Sequence, residues 1–185
     1  DVCLSGTRDD LSIWDVATGD ELGRLTGHTE SITGAAFTAD GSLLATSSFD
    51  ATVRLWTLDS SEALRVLRGP DRWVFSVAIS ADGRLAAGGT VAGEVYVWDT
   101  ATGKARTTLT GHNNSVNELA FVGDGRYLLS AGWDSKLRLW DVEQGKLVRA
   151  MNAHDEEITG MSLSADGSLL ATASSDGAVV LWQVE

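Results

Sequence analysis

The sequence contains little cysteine, little proline and no long apolar segment. Because Cys3 is the only cysteine, no internal disulfide can form, and the cysteine content gives no sign of an oxidising compartment. No apolar run approaches the roughly 18–20 residues that a membrane-spanning helix needs. We therefore expect a soluble globular protein in the cytoplasm, without a membrane partner.

Basic residues are also scarce. The sequence has 14 Lys and Arg residues and 26 Asp and Glu residues, which gives a formal net charge of −12. It contains no run of basic residues. Such a chain repels nucleic acids and anionic membrane surfaces, so we expect no nucleic-acid partner. The sequence also lacks a Walker-type phosphate loop, a C-x-x-C pair and an H-E-x-x-H pattern, so we expect no cofactor and no metal.

What the chain does have is a period of 42 residues. Tryptophans, here called the repeat tryptophans, recur at this interval, at positions 14, 56, 98, 140 and 182. Asp-Gly pairs recur at the same interval, at 40–41, 82–83, 124–125 and 166–167. Histidines share the period at His28, His112 and His154, and Pro70 stands in the place of a fourth. Self-similarity at such a period is the signature of a repeat architecture.

Each repeat contains four short runs with β character. Between residues 63 and 99 these runs are "ALRVLRG", "VFSVAIS", "RLAAGG" and "EVYVWD". Their branched and aromatic residues at period two suit half-buried strands, and Asp-Gly between the second and third runs suits a hairpin turn. Each repeat is therefore predicted to be a four-stranded antiparallel meander. Such sheets bury their faces when they stack radially as the blades of a propeller.

The repeat units resemble those of the WD40 family. The resemblance rests on "TGH", on "ADGSLLATSSFDATVRLW" and on "WDV", and it extends over the whole chain. It implies an all-β propeller of 18 strands in about four and a half blades. Residues 1–27 would be a first blade without its innermost strand. Complete blades would follow at about 32–68, 74–110 and 116–152, and a last blade from about 158 would lack its outermost strand.

The incomplete terminal blades suggest that further blades exist. WD40 rings usually have seven blades, so we expect the chain to be the C-terminal portion of a larger ring. The missing blades would then come from the rest of the chain or from another copy. The alternative is a complete protein that associates through its open sheet edges.

Ser/Thr, His and Asp recur together at fixed spacing, and the WD40 resemblance implies that they form a buried hydrogen-bond chain with the repeat tryptophan. Indole donates, a hydroxyl and an imidazole both donate and accept, and a carboxylate accepts. Three sets are complete: His28, Thr46, Asp50, Trp56; His112, Ser130, Asp134, Trp140; and His154, Thr172, Asp176, Trp182. A catalytic Ser/Thr-His-Asp arrangement is the alternative, but a catalyst is seldom built three times at one spacing. We expect no enzyme activity.

The third unit has lost the network as a set, with Pro70, Gly88 and Ala92 at the His, hydroxyl and Asp positions. Losing all three avoids leaving buried polar groups unpaired, and Trp98 would remain as a hydrophobic side chain. The first unit is also irregular, with Leu4 and Arg8 at the hydroxyl and Asp positions.

Two tryptophans, Trp73 and Trp133, do not follow the period. Trp73 stands at the start of an innermost strand, and Trp133 stands directly before the network residue Asp134. At both positions WD40 proteins commonly contact partners on the top surface. The resemblance therefore implies a partner-binding face made by Phe49, Trp73, Phe75, Val91, Trp133 and Glu157. The alternative is that both indoles fill gaps between blades.

The predicted function is a non-catalytic scaffold that binds a peptide or protein segment on this face. The alternative is a regulatory or sensor module of a larger signalling enzyme, a kinase or an NTPase, because closely similar units such as "ADGSLLATASSDGAVVLW" resemble the regular arrays of bacterial signalling proteins.

Overall fold

The computed structural model describes residues 2–6 and 9–184, and within these residues the regular structure consists of β-strands joined by turns. Eighteen strands form five antiparallel sheets, here called blades 1 to 5. No helix in this part of the chain is long and apolar enough to cross a membrane. The all-β architecture predicted from the repeat is confirmed, whereas Arg8 lies outside the described residues.

Blade 1 consists of β1 Val2–Gly6, β2 Leu11–Asp15 and β3 Glu21–Leu25. Blade 2 consists of β4 Ile32–Phe37, β5 Leu44–Ser48, β6 Val53–Trp56 and β7 Arg65–Leu67. Blade 3 consists of β8 Val74–Ile79, β9 Leu85–Thr90, β10 Glu94–Asp99 and β11 Ala105–Thr110. Blade 4 consists of β12 Val116–Val122, β13 Tyr127–Gly132, β14 Lys136–Asp141 and β15 Lys146–Asn152. Blade 5 consists of β16 Ile158–Leu163, β17 Leu169–Ser174 and β18 Val179–Gln183.

Each blade is a meander, because its strands pair in chain order. The first strands of neighbouring blades contact one another, β4 with β8, β8 with β12 and β12 with β16, so they are the innermost strands of the propeller. Each of these four strands carries a bulge near its start, for example between Val74 and Ser76. A bulge bends a strand and increases its twist, which suits a strand at the centre of stacked sheets.

The hydrophobic core lies between blades. A repeat tryptophan packs against the preceding blade at each of the four junctions, as Trp98 does against Val53, Leu55 and Leu67 of blade 2. Trp56, Trp98 and Trp140 are buried, and Trp182 of blade 5 is half-buried. Stacking thus covers sheet faces that a single blade would leave in water.

The turns place loops at two ends of each blade. The Asp-Gly turns join the first strand to the second, and in blade 3 the Asp82 carboxylate accepts hydrogen bonds from the Ser80 hydroxyl and the Arg84 amide. Gly83 follows with φ of 70°, a conformation that favours glycine. The opposite end carries the loops that enter the innermost strands and the loops between second and third strands. We call this end the top face.

Candidate functional site

The top face has a recurring backbone hydrogen bond in blades 2 to 5. The amide of the residue before the Asp position donates to the carbonyl of the third residue after the His position. The four pairs are Phe49 to Ser31 at 3.0 Å, Val91 to Trp73 at 3.1 Å, Trp133 to Ser115 at 2.9 Å and Ser175 to Glu157 at 3.0 Å. In each of these blades, the residue before the Asp position and the third residue after the His position are therefore neighbours on the top face.

Four aromatic side chains from three blades form a continuous cluster on this face, which we call the aromatic cluster. The ring centroids of Phe49 and Trp73 lie 4.8 Å apart, those of Phe49 and Phe75 lie 5.9 Å apart, and those of Phe75 and Trp133 lie 5.5 Å apart. The Phe75–Trp133 pair is close to edge-on, at 63°. Such tilted and edge-to-face contacts at these separations are favourable, so the rings hold one another in place.

Within the aromatic cluster, Trp73 is the most open to solvent. It is 54% exposed, whereas Phe49, Phe75 and Trp133 are half-buried. The next residue, Val74, is fully buried, so the strand start turns Trp73 outward by simple alternation. Trp73 therefore does not fill a gap between blades, and Trp133 supports the cluster with part of its surface still accessible.

The other two predicted contact residues lie outside the aromatic cluster. Val91 is half-buried, and its backbone is bonded to that of Trp73. Glu157 is exposed on blade 5, on the far side of blade 4 from Trp73. The structure thus brings four of the six residues into ring contact, places Val91 beside Trp73 on blade 3, and leaves Glu157 on blade 5.

Below the top face, all three predicted networks contain the expected hydrogen bonds. In blade 4, the Trp140 Nε1–H lies 2.8 Å from Ser130 Oγ, His112 Nε2 lies 2.7 Å from Ser130 Oγ, and His112 Nδ1 lies 2.8 Å from Asp134. The same contacts measure 2.8 Å each in blade 2, from Trp56 through Thr46 and His28 to Asp50. They measure 2.9 to 3.0 Å in blade 5, from Trp182 through Thr172 and His154 to Asp176.

The direction of these bonds follows from what each group can do. Indole only donates, so the Thr46 or Ser130 oxygen accepts from it and its hydroxyl proton points to His Nε2. The remaining imidazole proton then sits on Nδ1 and is donated to the Asp carboxylate. Burial lowers the pKa of His28 from its ordinary value despite the hydrogen bond to Asp50, which agrees with a neutral ring.

A family model described as "WD domain, G-beta repeat" matches the chain four times, at residues 19–57, 61–99, 103–141 and 145–183. Each match begins near the outermost strand of one blade and ends after the third strand of the next. The chain belongs to the WD40 repeat family. A comparison with curated proteins found no match. WD40 propellers are in general interaction modules without catalytic activity, and here each Ser/Thr-His-Asp group lies inside its own blade.

This WD40 chain adds an arginine to two networks, which sequence reasoning missed. Arg138 Nη1 donates to Asp134 Oδ2 at 2.8 Å, and Arg138 Nη2 donates to the Gly111 carbonyl at 2.7 Å. Nη1 also lies 2.6 Å from His112 Nδ1, but that nitrogen uses its proton for Asp134. Burial alone would raise the pKa of Asp134, yet the hydrogen bonds from His112 and Arg138 outweigh it and hold the pKa at about 2. In blade 2, Arg54 occupies the position equivalent to Arg138, and its Nη2 lies 4.0 Å from Asp50 Oδ2.

In blade 3, a different arrangement replaces the missing network. The Trp98 indole donates to the Arg68 carbonyl at 2.9 Å. The sequence predicted a purely hydrophobic role for Trp98, but its N–H also forms a hydrogen bond. Tyr96 takes the place of the arginine and stacks on Trp98 at 5.9 Å and 20°. A side chain at Gly88 would meet Val53, Val74 and Trp98 within about 3.1 Å. A hydroxyl-bearing residue therefore has no room there.

Glu118 is a second residue that sequence reasoning missed. It lies on β12, the innermost strand of blade 4, and is half-buried. Burial raises the pKa of Glu118 to about 6, and among the described residues no donor forms a hydrogen bond with its carboxylate. The equivalent positions, 42 residues apart, are occupied by Gly34, Ser76 and Gly160. A single charge at a position otherwise held by small residues was the signal available in the sequence.

The opposite end of the propeller has a cleft between blades 3 and 4, lined by Asp82, Arg84, Asp99, Arg106, Arg126 and Glu143 among others. Two of its arginines are already paired, since Arg126 bonds to Asp141 at 2.9 Å and Arg84 lies 3.5 Å from Asp82. The described residues contain no group of three or more His, Cys, Asp or Glu side chains placed to hold a metal ion. The top face is therefore the better candidate site.

Proposed function

We propose that this WD40 chain is a non-catalytic scaffold that binds a peptide or protein segment on its top face, at the aromatic cluster. One observation carries the proposal: Trp73 is 54% exposed at the edge of four mutually packed rings that come from three blades. Large aromatic side chains held rigidly at a surface are typical of the centre of protein interfaces.

A bound segment would gain apolar contacts at little cost in side-chain ordering. A bound apolar side chain would bury the free face of Trp73 together with the accessible parts of Phe75 and Trp133. The rings are already held by one another and by the backbone bonds beneath them, so little side-chain ordering is needed on binding. Val91 would contact the segment next to Trp73, and Glu157 would contact the end of a longer segment.

A displayed library of random peptides, selected against the wild-type chain, tests the proposal. We expect the selected peptides to lose about 30-fold in affinity for the Trp73→Ala variant, since truncation of an interface tryptophan commonly costs about 2 kcal/mol. Leu64→Ala is the matched control, because Leu64 is 58% exposed on the outer part of blade 2. If the peptides bind Trp73→Ala as tightly as the wild type, the aromatic cluster is not the binding site.

A further inference from the structure

We propose that the segment bound at the aromatic cluster carries basic side chains next to an apolar anchor, and that the basic part lies over blade 5. This inference rests on the proposed function and adds the chemistry and the direction of the partner. It derives from the distribution of charge around the cluster, which differs sharply between its two sides.

The blade 5 side of the top face is acidic. The loop that leads into β16 contains Asp155, Glu156 and Glu157 in succession, and all three are exposed. The nearby histidine, His154, is bonded to Asp176 and Thr172, so it offers no free cation to this loop. Within the described loop residues 153–157, three carboxylates are thus left to attract a positive partner.

Glu118 continues the acidic side toward the cluster. It lies on the innermost strand of blade 4, which stands between blade 3 and blade 5 and contacts β8 and β16. Its Cα is paired with that of Ala131, two residues before Trp133 of the aromatic cluster. A half-buried carboxylate without a hydrogen-bond donor among the described residues gains from a cation that approaches it. A basic side chain next to the anchor meets this need.

On the blade 3 side, positive and negative charges offset one another. Arg68 and Arg72 are both exposed in the loop that ends at Trp73, and the Arg72 Nε lies 3.8 Å from the Asp71 carboxylate, itself largely exposed. The Asp71 and Glu94 carboxylates offset these two guanidinium groups, so this side offers a basic segment no net attraction, whereas the three carboxylates of the blade 5 loop attract it. The charge distribution therefore directs the basic part of a segment anchored at Trp73 toward blade 5.

Two short capped peptides test the inference by titration calorimetry with the wild-type chain. The first carries a phenylalanine, a glycine-serine spacer and a pair of lysines, and the second has glutamine in place of each lysine. We expect the lysine peptide to bind at least about 5-fold more tightly at low salt, as two surface charge pairs allow. The difference should shrink as salt is raised, because exposed charges are screened.

The variants assign this difference to blade 5. In the double variant Glu156→Gln and Glu157→Gln, the two peptides should bind with nearly equal affinity. The double variant Asp59→Asn and Glu62→Gln removes the same charge from an exposed loop at the opposite end and should keep the full difference. Equal loss in both double variants would mean that net charge, rather than the blade 5 loop, attracts the lysines, and would overturn the inference.

Two further outcomes separate this inference from the proposed function. If both peptides bind equally and both need Trp73, the cluster binds an apolar anchor without regard to charge; the inference then fails while the proposed function stands. If neither peptide binds, the inference fails, and the selection with Trp73→Ala decides on the proposed function independently.

Discussion

His112 joins the loop before β12 to the second strand of blade 4 through its two ring nitrogens. Its replacement by alanine leaves the buried Ser130 hydroxyl and the Asp134 carboxylate each without one partner. Loss of a buried hydrogen-bond partner costs about 1–3 kcal/mol. We expect His112→Ala to lower the free energy of unfolding by this amount in urea titrations, without loss of peptide binding at the aromatic cluster.

The neighbouring Asn113 provides the control for His112→Ala, because its side chain is exposed. Asn113→Ala should unfold within about 0.5 kcal/mol of the wild type, as surface substitutions usually do. Unchanged stability of His112→Ala would contradict a structural role for the network of blade 4.

Asp134 makes the stability of blade 4 dependent on acid. Its pKa in the folded chain, about 2, lies below its usual 3.8. The stabilisation is therefore fully present above about pH 4 and is lost as the pH falls toward about 2. We expect Asp134→Asn to lower the free energy of unfolding by about 1–3 kcal/mol at pH 7, and the difference from wild type to shrink toward pH 2 in denaturation series.

The wild-type curve includes further contributions of the same sign. Hydrogen bonds from turn residues hold the pKa values of Asp40 and Asp166 at about 2 as well. A flatter acid dependence of Asp134→Asn than of the wild type is therefore the informative comparison, with Asp59→Asn as the control for simple removal of charge. Parallel curves for Asp134→Asn and wild type would show that Asp134 is not held ionised by its partners.

At the scale of a structural element, blade 3 contains one tryptophan of each kind, the repeat tryptophan Trp98 and Trp73 of the aromatic cluster. Trp98 is fully buried between blades 2 and 3 and donates to the Arg68 carbonyl, whereas Trp73 is more than half exposed. We expect Trp98→Ala to lower the free energy of unfolding by about 3–5 kcal/mol and Trp73→Ala to lower it by no more than about 1.5 kcal/mol, the value of one lost ring pair. Thermal unfolding monitored by circular dichroism checks both values. Equal effects of the two variants would contradict this division.

Much of each blade could be predicted from the sequence, because the 42-residue period aligns each position with three or four others. The period located the strands, the Asp-Gly turns and the His, hydroxyl and Asp of each network. It could not reveal that Arg138 reaches Asp134, since an arginine two residues before a tryptophan has many possible directions. The Arg68 carbonyl that accepts from Trp98 was equally hidden, because backbone groups carry no sequence signal.

The aromatic cluster was predictable only as a set of positions. The resemblance placed Phe49, Trp73, Phe75 and Trp133 on one face, but ring contacts depend on how far neighbouring blades rotate against one another. The period gives no role to Glu118, whose only signal is that it departs from Gly34, Ser76 and Gly160 at the equivalent positions.

For the whole molecule, the outer face of blade 5 is the feature that governs association. Val179 and Leu181 are 68% and 71% exposed, whereas their equivalents Val95 and Val97 in blade 3 are fully buried against blade 4. Among the described strands, β18 pairs only with β17, so its outer edge is also open. We expect the 185-residue chain to associate with increasing concentration in analytical ultracentrifugation, through burial of this apolar face.

The double variant Val179→Lys and Leu181→Lys should shift the chain toward a monomer, because a charged face resists packing against another blade. Leu64→Lys changes a similarly exposed leucine on the outer part of blade 2 and should leave the association unchanged. A wild-type chain that stays monomeric across the concentration range would show that this face needs no partner.

We propose that the aromatic cluster receives a partner while the repeat tryptophans hold the blades together. The seven indole N–H groups allow both parts to be observed in one nitrogen-15 NMR titration with a peptide from the library selection. We predict that the signals of Trp73 and Trp133 move as peptide is added and that those of Trp56, Trp98 and Trp140 stay in place. Stationary signals of Trp73 and Trp133 in the presence of bound peptide would contradict the account.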